Sequence, residues 1–160
     1  MTIFSKDLET KSAEELIQWT MDKYGLKAGL ACSFGMEDMV LIDMIAKLKG
    51  PITIFTLDTG RLHEETYELM DRVRSKYGLK IKTYFPDRDK VENIVREKGF
   101  FSFRESVDNR KECCYIRKVE PLNRALSELK AWITGLRRSC LLYTSPSPRD
   151  QRGSGLAGWA

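Results

Sequence analysis

Cys32-Ser33-Phe34-Gly35-Met36-Glu37-Asp38-Met39-Val40 is the stretch whose reading decides the fold. It joins a short apolar run, Gly29 to Cys32, to an amphipathic run in which Val40, Leu41, Met44, Ile45 and Leu48 recur at helical spacing. A buried strand, a Ser/Gly turn and a helix open a βαβ unit, with the turn at the strand's carboxyl end, where open α/β sheets bind ligands. Ser33 offers a hydroxyl, Gly35 permits close approach to the backbone, and the helix start carries unpaired N–H groups with a partial positive charge. That chemistry suits a phosphate. The same residues also make an ordinary tight turn, so the loop alone does not choose between the two readings.

Working outward, Gly50-Pro51 ends the helix, and Ile52 to Leu57 reads as a second buried strand, reached by a right-handed crossover. Upstream, Ser12-Ala13-Glu14-Glu15 is a capping box that opens a helix with Leu16, Trp19 and Met21, closed at Tyr24-Gly25 and expected to cover the sheet. Downstream, Asp58-Thr59-Gly60 ends the second strand at the same sheet edge as Ser33. Asp58 at that place either holds a ribose or a loop backbone, or simply forms the turn. His63, the lone histidine, opens a helix that runs through Leu69, Met70 and Val73 to Tyr77-Gly78, where a surface or capping role is expected. Leu79 to Phe85 alternates as a third strand with one wet face. Pro86 to Lys98 is expected to be a loop and helix with a solvated charged face. Phe100-Phe101-Ser102-Phe103-Arg104 is expected to form a hydrophobic staple under a loop.

At 160 residues, 42% apolar and 31% charged, the chain has the composition of one soluble globular domain. No apolar run approaches the roughly 20 residues that span a bilayer. The first residues lack a secretory apolar core, so a cytoplasmic location and no membrane partner are expected. The net charge of +4 is spread among interspersed acids and bases. That balance suits a nucleotide and falls short of a nucleic-acid footprint. Four cysteines without a leader argue against a disulfide framework and for metal or redox chemistry.

Two of those cysteines are adjacent, in Lys111-Glu112-Cys113-Cys114-Tyr115-Ile116-Arg117-Lys118. Neighbouring side chains diverge by about 100° on a helix and to opposite faces on a strand, so two adjacent thiolates rarely grip one small ion. A disulfide between them would be strained. An iron–sulfur cluster is wide enough for each sulfur to reach a different iron. Lys111, Arg117 and Lys118 would favour the thiolates and offset the charge of such a cluster. Two buried cysteines acting as small hydrophobes remain the alternative.

Four ordered segments carry a resemblance: Ser33-Phe34-Gly35-Met36-Glu37-Asp38, Thr56-Leu57-Asp58-Thr59-Gly60-Arg61-Leu62-His63-Glu64-Glu65-Thr66-Tyr67, Cys113-Cys114-Tyr115-Ile116-Arg117-Lys118-Val119-Glu120-Pro121-Leu122 and Trp132-Ile133-Thr134-Gly135-Leu136-Arg137-Arg138. Over roughly residues 10 to 138 the chain resembles the assimilatory adenylyl-sulfate reductases. The resemblance implies an α/β fold of the adenine-nucleotide α-hydrolase type, an open, mainly parallel sheet in order 3-2-1-4-5 with helices on both faces. It implies reduction of adenosine 5′-phosphosulfate to sulfite and AMP in sulfate assimilation, with thioredoxin as donor. It places Ser33, Phe34 and Gly35 on the phosphate side, Leu57 and Asp58 on the adenosine side, and Gly135 and Arg138 in the loop after a fourth strand, Ala131 to Thr134. It gives Cys113 and Cys114 to a 4Fe-4S cluster and Lys118 to the gap between cluster and substrate. Relatives without the tandem cysteines and cluster prefer 3′-phosphoadenosine 5′-phosphosulfate, so the pair points to the unphosphorylated substrate. Cys32 is expected to pack rather than to react.

Departures from the family pattern accompany the match. The family continues through a second cysteine pair, Cys-x-x-Cys, and a tail whose cysteine attacks the sulfate sulfur, and neither motif occurs in these 160 residues. Residues 1 to 138 are therefore expected to be an incomplete reductase domain holding two of four cluster ligands and forming no sulfite. Ser139 to Asp150 resembles the in-frame translation of a sequencing adaptor, and 139 to 160 is expected to be a non-native, unstructured tail. Other classes stay open: an ATP-pyrophosphatase-type ligase, whose loop would have a serine where Met39 stands, or an inert nucleotide-binding module. The sequence does not decide whether the chain forms a homo-oligomer.

Overall fold

The computed structural model describes residues 8 and 10–136. Arg138 and the expected tail at 139–160 lie outside the described residues. Contacts divide the chain into two compact units. The first comprises Met1–Thr56, His63–Thr83 and Ala125–Gly135, and the second Leu57–Leu62, Tyr84–Arg124 and Leu136–Ala160.

The first unit is built on a four-stranded sheet in the order β3-β2-β1-β4, with β1 Ala28–Ala31, β2 Thr53–Leu57, β3 Ile81–Tyr84 and β4 Ala131–Thr134. Strand β1 pairs in parallel with both neighbours, Leu30 facing Ile54 on one side and Ile133 on the other. This arrangement is the α/β fold expected from the sequence, with the four strands in the expected sequence of positions. A central parallel strand must be apolar on both faces. Ala28 and Leu30 are fully buried, and a Cβ at Gly29 would overlap Leu129 and press on the Phe55 ring.

Helices α1 Ala13–Tyr24, α2 Met36–Leu48 and α3 Glu64–Tyr77 supply the core partners of the sheet. Ile17 and Met21 from α1, Ile42 and Ile45 from α2 and Val73 from α3 join Leu30, Ile54, Cys32 and Phe34 in one buried cluster. The capping box is present at α1: Glu15 N–H donates to Ser12 Oγ at 3.2 Å and Ser12 N–H to Glu15 Oε2 at 2.7 Å. Helix α2 ends at Leu48, just before Gly50-Pro51 as expected, with Lys49 in the left-handed cap at φ 51°. Gly50 serves packing, since a Cβ there would overlap the Met21 sulfur.

The second unit carries α4 Arg88–Lys98 and a long helical run made of α5 Val107–Cys114, a π-helical turn Tyr115–Val119 and α6 Glu120–Ser127, whose last residues enter the first unit. The charged residues of α4, among them Arg88, Asp89 and Glu97, are solvent-exposed, as its composition implies. The staple expected at Phe100 to Arg104 is not formed. Phe100 and Phe101 are 66% and 60% exposed, and the Arg104 guanidinium lies 4.6 Å from the Phe101 ring centre. Here cation–π stacking at the surface replaces burial.

Candidate functional site

In the first unit, the site candidates gather where β1 gives way to α2. The loop turns sharply: Phe34 is left-handed at φ 62°, an uncommon conformation for a residue with a bulky side chain. Gly35, by contrast, is the extended N-cap of α2 at φ −69°, a conformation open to any residue. The conformational demand of the loop thus falls on Phe34, not on the glycine the sequence singles out. Its ring is 7% exposed, and its N–H donates to Cys32 Sγ at 3.4 Å.

Asp38 holds this turn from the first turn of α2. Its Oδ2 accepts from both Ser33 N–H, at 2.6 Å, and Ser33 Oγ, at 2.8 Å. Asp38 is only 5% exposed, so these bonds form largely out of water. A carboxylate oxygen can only accept, which assigns the Ser33 hydroxyl proton to it. Gly135, immediately after β4, completes the cluster. A Cβ at Gly135 would overlap Asp38 Oδ1 and lie 3.1 Å from Asp38 N. Only a residue without a side chain lets the β4 loop come this close to α2.

Cys32 sits beneath the loop at 4% exposure. Burial, with a smaller contribution from the Asp38 charge, pushes its thiol up to about 12. A nucleophilic cysteine needs the opposite, a depressed value that populates the thiolate. The structure therefore treats Cys32 as a core residue.

In the second unit, Asp58 follows Leu57, the half-buried last residue of β2, and is itself 5% exposed. Asp58 Oδ1 accepts from Gly60 N–H at 2.7 Å, closing an Asx turn in which Gly60 takes φ 69°. Arg117 braces the same turn. Its Nη1 donates to the Thr59 carbonyl at 2.7 Å, and the residue is 7% exposed. The Nε of Arg117 is buried without a hydrogen-bond partner among the described residues.

Cys113 and Cys114 are the last two residues of α5, both half-buried free thiols. The π turn that follows widens the helix and re-aims its side chains. Arg117 is buried by it while Lys118 is exposed. Sequence reasoning grouped Arg117 with Lys111 and Lys118 around the thiols, whereas its hydrogen bond runs to the Thr59 loop. Among the described residues no three His, Cys, Asp or Glu side chains converge on a single metal position. Two diverging thiols at a helix end do match the need of a multi-iron cluster, whose sulfurs reach different irons, and they make up half of a four-thiolate set.

The structure thus brings Ser33, Phe34, Gly35 and Gly135 together around Asp38 in one unit, and Asp58, Thr59 and Gly60 around Arg117 in the other. Asp38 has no role assigned from the sequence, and Arg117 has a different one there, beside the thiols rather than on the Thr59 loop. The available signal was a carboxylate five residues after the loop serine, and an arginine followed by lysine beside the tandem cysteines.

Comparison with known proteins bears on what this arrangement serves. Residues 27–140 match the phosphoadenosine phosphosulfate reductase domain. An adenosine 5′-phosphosulfate reductase of Burkholderia cepacia is 52% identical over 112 residues, covering 70% of this chain and 45% of that protein. The adenosine 5′-phosphosulfate reductase of Pseudomonas aeruginosa (strain LESB58) is 43% identical over 147 residues, covering 92% of this chain and 52% of that protein. The chloroplastic 5′-adenylylsulfate reductase 1 of Arabidopsis thaliana is 45% identical over 147 residues, covering 92% and 30%. The matched segment thus spans 30% to 52% of the length of these relatives. A crystal structure of phosphoadenylyl-sulfate reductase from Candida auris, a phosphate complex, superposes with a TM-score of 0.72 at 28% identity, covering 84% of this chain and 66% of that one.

Proposed function

The chain belongs to the phosphoadenosine phosphosulfate reductase domain family, and from that premise we propose that it is the nucleotide-binding part of a thioredoxin-dependent reductase converting adenosine 5′-phosphosulfate to sulfite and AMP. The observation that carries the reading is the tandem Cys113-Cys114 at the end of α5, in a chain whose 43–52% identical bacterial relatives are named for the unphosphorylated substrate. The neighbour named for the 3′-phosphorylated substrate stands at 28%. The 3′-phosphorylated nucleotide is therefore the weaker ligand in this account.

In the proposed chemistry a cysteine thiolate attacks the sulfate sulfur, the bond from sulfur to the bridging oxygen breaks, and AMP leaves. A second thiol attacks the resulting S-sulfocysteine at its cysteine sulfur, releasing sulfite and leaving a disulfide that thioredoxin reduces. Cys32, buried with its thiol at about 12, is suited to neither role. The contribution proposed for these 160 residues is binding. Ser33, Phe34 and Gly35 frame the phosphate at the start of α2, whose helix-end polarity supports the anion. Leu57 and Asp58 border the adenosine, and Gly135 and Arg138 close the phosphosulfate side. Lys118, exposed on the π turn, supplies a cation for the sulfonate.

Cys113 and Cys114 would hold two corners of a 4Fe-4S cluster, the remaining thiolates coming from sequence beyond the matched segment. When bound, that group supplies a charged centre that orders the helix end bearing Lys118. A cytoplasmic setting is proposed with it, and among the described residues no helix is long and apolar enough to cross a membrane. Calorimetry with AMP and with adenosine 3′,5′-bisphosphate tests the assignment. Tighter binding of AMP is expected, and tighter binding of the bisphosphate would overturn the choice of substrate.

A further inference from the structure

We propose that Asp38 is the positioning residue of the nucleotide loop, and that Ser33 acts through Asp38 rather than by donating its hydroxyl to the phosphate. The inference deepens the nucleotide-binding reading and rests on it for the ligand. The geometry comes first. Ser33 Oγ lies 2.8 Å from Asp38 Oδ2, which also accepts from Ser33 N–H at 2.6 Å. Both donors of Ser33 are thereby used within the protein, and its oxygen has only lone pairs left to present. A phosphate oxygen meeting those lone pairs is repelled. What the Ser33–Asp38 pair provides is shape.

The next residue, Phe34, is held at φ 62°, a conformation that persists in a bulky residue only when its surroundings enforce it. The enforcing contacts are the two bonds from Ser33 on one side of Phe34 and the burial of its ring on the other. Gly35 is then placed as the extended N-cap of α2, with no side chain occupying the cap. A loop left to relax at Phe34 would shift Gly35 away from the cap position at the start of α2. Gly135 belongs to the same device, because a Cβ there would overlap Asp38 Oδ1 and displace the carboxylate.

The two accounts of Ser33 separate in a double-mutant cycle read by AMP calorimetry on the 160-residue chain. Asp38→Ala is expected to weaken AMP by about tenfold or more, as loss of hydrogen bonds to a charged group implies. Ser33→Ala, which keeps the backbone bond to Asp38, is expected to cost about threefold or less, and to cost nothing further in the Asp38→Ala background. Gly135→Ala is expected to weaken AMP as Asp38→Ala does, with no added loss when the two are combined. Asp38→Asn, which retains the shape and one acceptor, is expected to restore most of the affinity, and it serves as the reference variant should Asp38→Ala fail to fold.

A Ser33→Ala loss of equal size in both backgrounds would identify a direct hydroxyl donor and overturn the proposal. So would Asp38→Ala binding AMP within about twofold of the parent, a difference too small for a charged hydrogen bond. Amide exchange at Ser33 and Phe34, measured without nucleotide, keeps the two readings apart. If the parent chain binds no AMP, the nucleotide assignment fails, and faster exchange in Asp38→Ala still decides whether Asp38 holds the loop.

Discussion

Replacing Cys32 by alanine should change how stability depends on alkaline pH. The thiol is 4% exposed and pushed from 9.0 up to about 12, chiefly by burial and further by the Asp38 charge. A group whose folded value is raised contributes stability that is complete below its unfolded value and is lost as pH rises through the folded one. For Cys32 the window opens near 9 and closes near 12. Each pH unit inside it removes about 1.4 kcal/mol. At pH 10 the parent should therefore have lost about 1.4 kcal/mol through this one group. Cys32→Ala lacks the group. It should be less stable at pH 7 by about 0.5–3 kcal/mol, for the lost packing and the lost acceptor of Phe34 N–H. The deficit should then shrink between pH 9 and 10. Urea unfolding of both proteins at pH 7, 8, 9 and about 10 measures the difference, since other alkaline titrations are common to both. Parallel profiles would refute the argument and return Cys32 to the candidates for a reactive thiol.

Gly50→Ala should destabilise by about 1–3 kcal/mol in thermal or urea unfolding, because the added methyl overlaps the Met21 sulfur in a packed core. Ser12→Ala removes one half of a formed capping box and should cost about 1 kcal/mol by the same assay. Asp43 accepts from Tyr77 and pairs with Lys47, and chiefly the Lys47 hydrogen bond holds its carboxyl below the usual range. Its stabilisation is therefore present above the ordinary carboxylate value and lost as pH falls through the lowered one, so Asp43→Asn should flatten the acid limb of the stability profile. In a reductase carrying the complete catalytic sequence, Lys118→Ala should lower kcat more than AMP affinity, since AMP lacks the sulfonate. Equal losses would mean that Lys118 only supports the fold.

The order of elements was legible because each carries its own period. The apolar run at β1, the helical spacing from Val40 to Leu48 and the capping box at Ser12 are local signals, and local rules place them. The misplacements came from long-range contacts. Gly35 looks like the residue that permits a sharp turn, yet the turn is enforced on Phe34 by the Ser33–Asp38 bonds and ring burial, which no periodicity encodes. Gly50-Pro51 does mark the helix end, but that Lys49 takes the left-handed cap and Gly50 makes room for Met21 follows from packing alone. Phe100 and Phe101 look like a buried staple, yet both are exposed, and the Phe101 ring stacks on the Arg104 guanidinium at the surface. Arg117 was read as one of three cations beside thiols, and the π turn that buries it apart from Lys118 has no clear signature in composition or spacing.

The proposed function places a nucleotide phosphate at the loop that joins β1 to α2. Hydrogen–deuterium exchange of the 160-residue chain with and without AMP tests this most directly. The expected result is slowed exchange in peptides covering Cys32 to Val40 and Leu57 to Gly60. Protection confined to other segments, or none at saturating AMP, would contradict it.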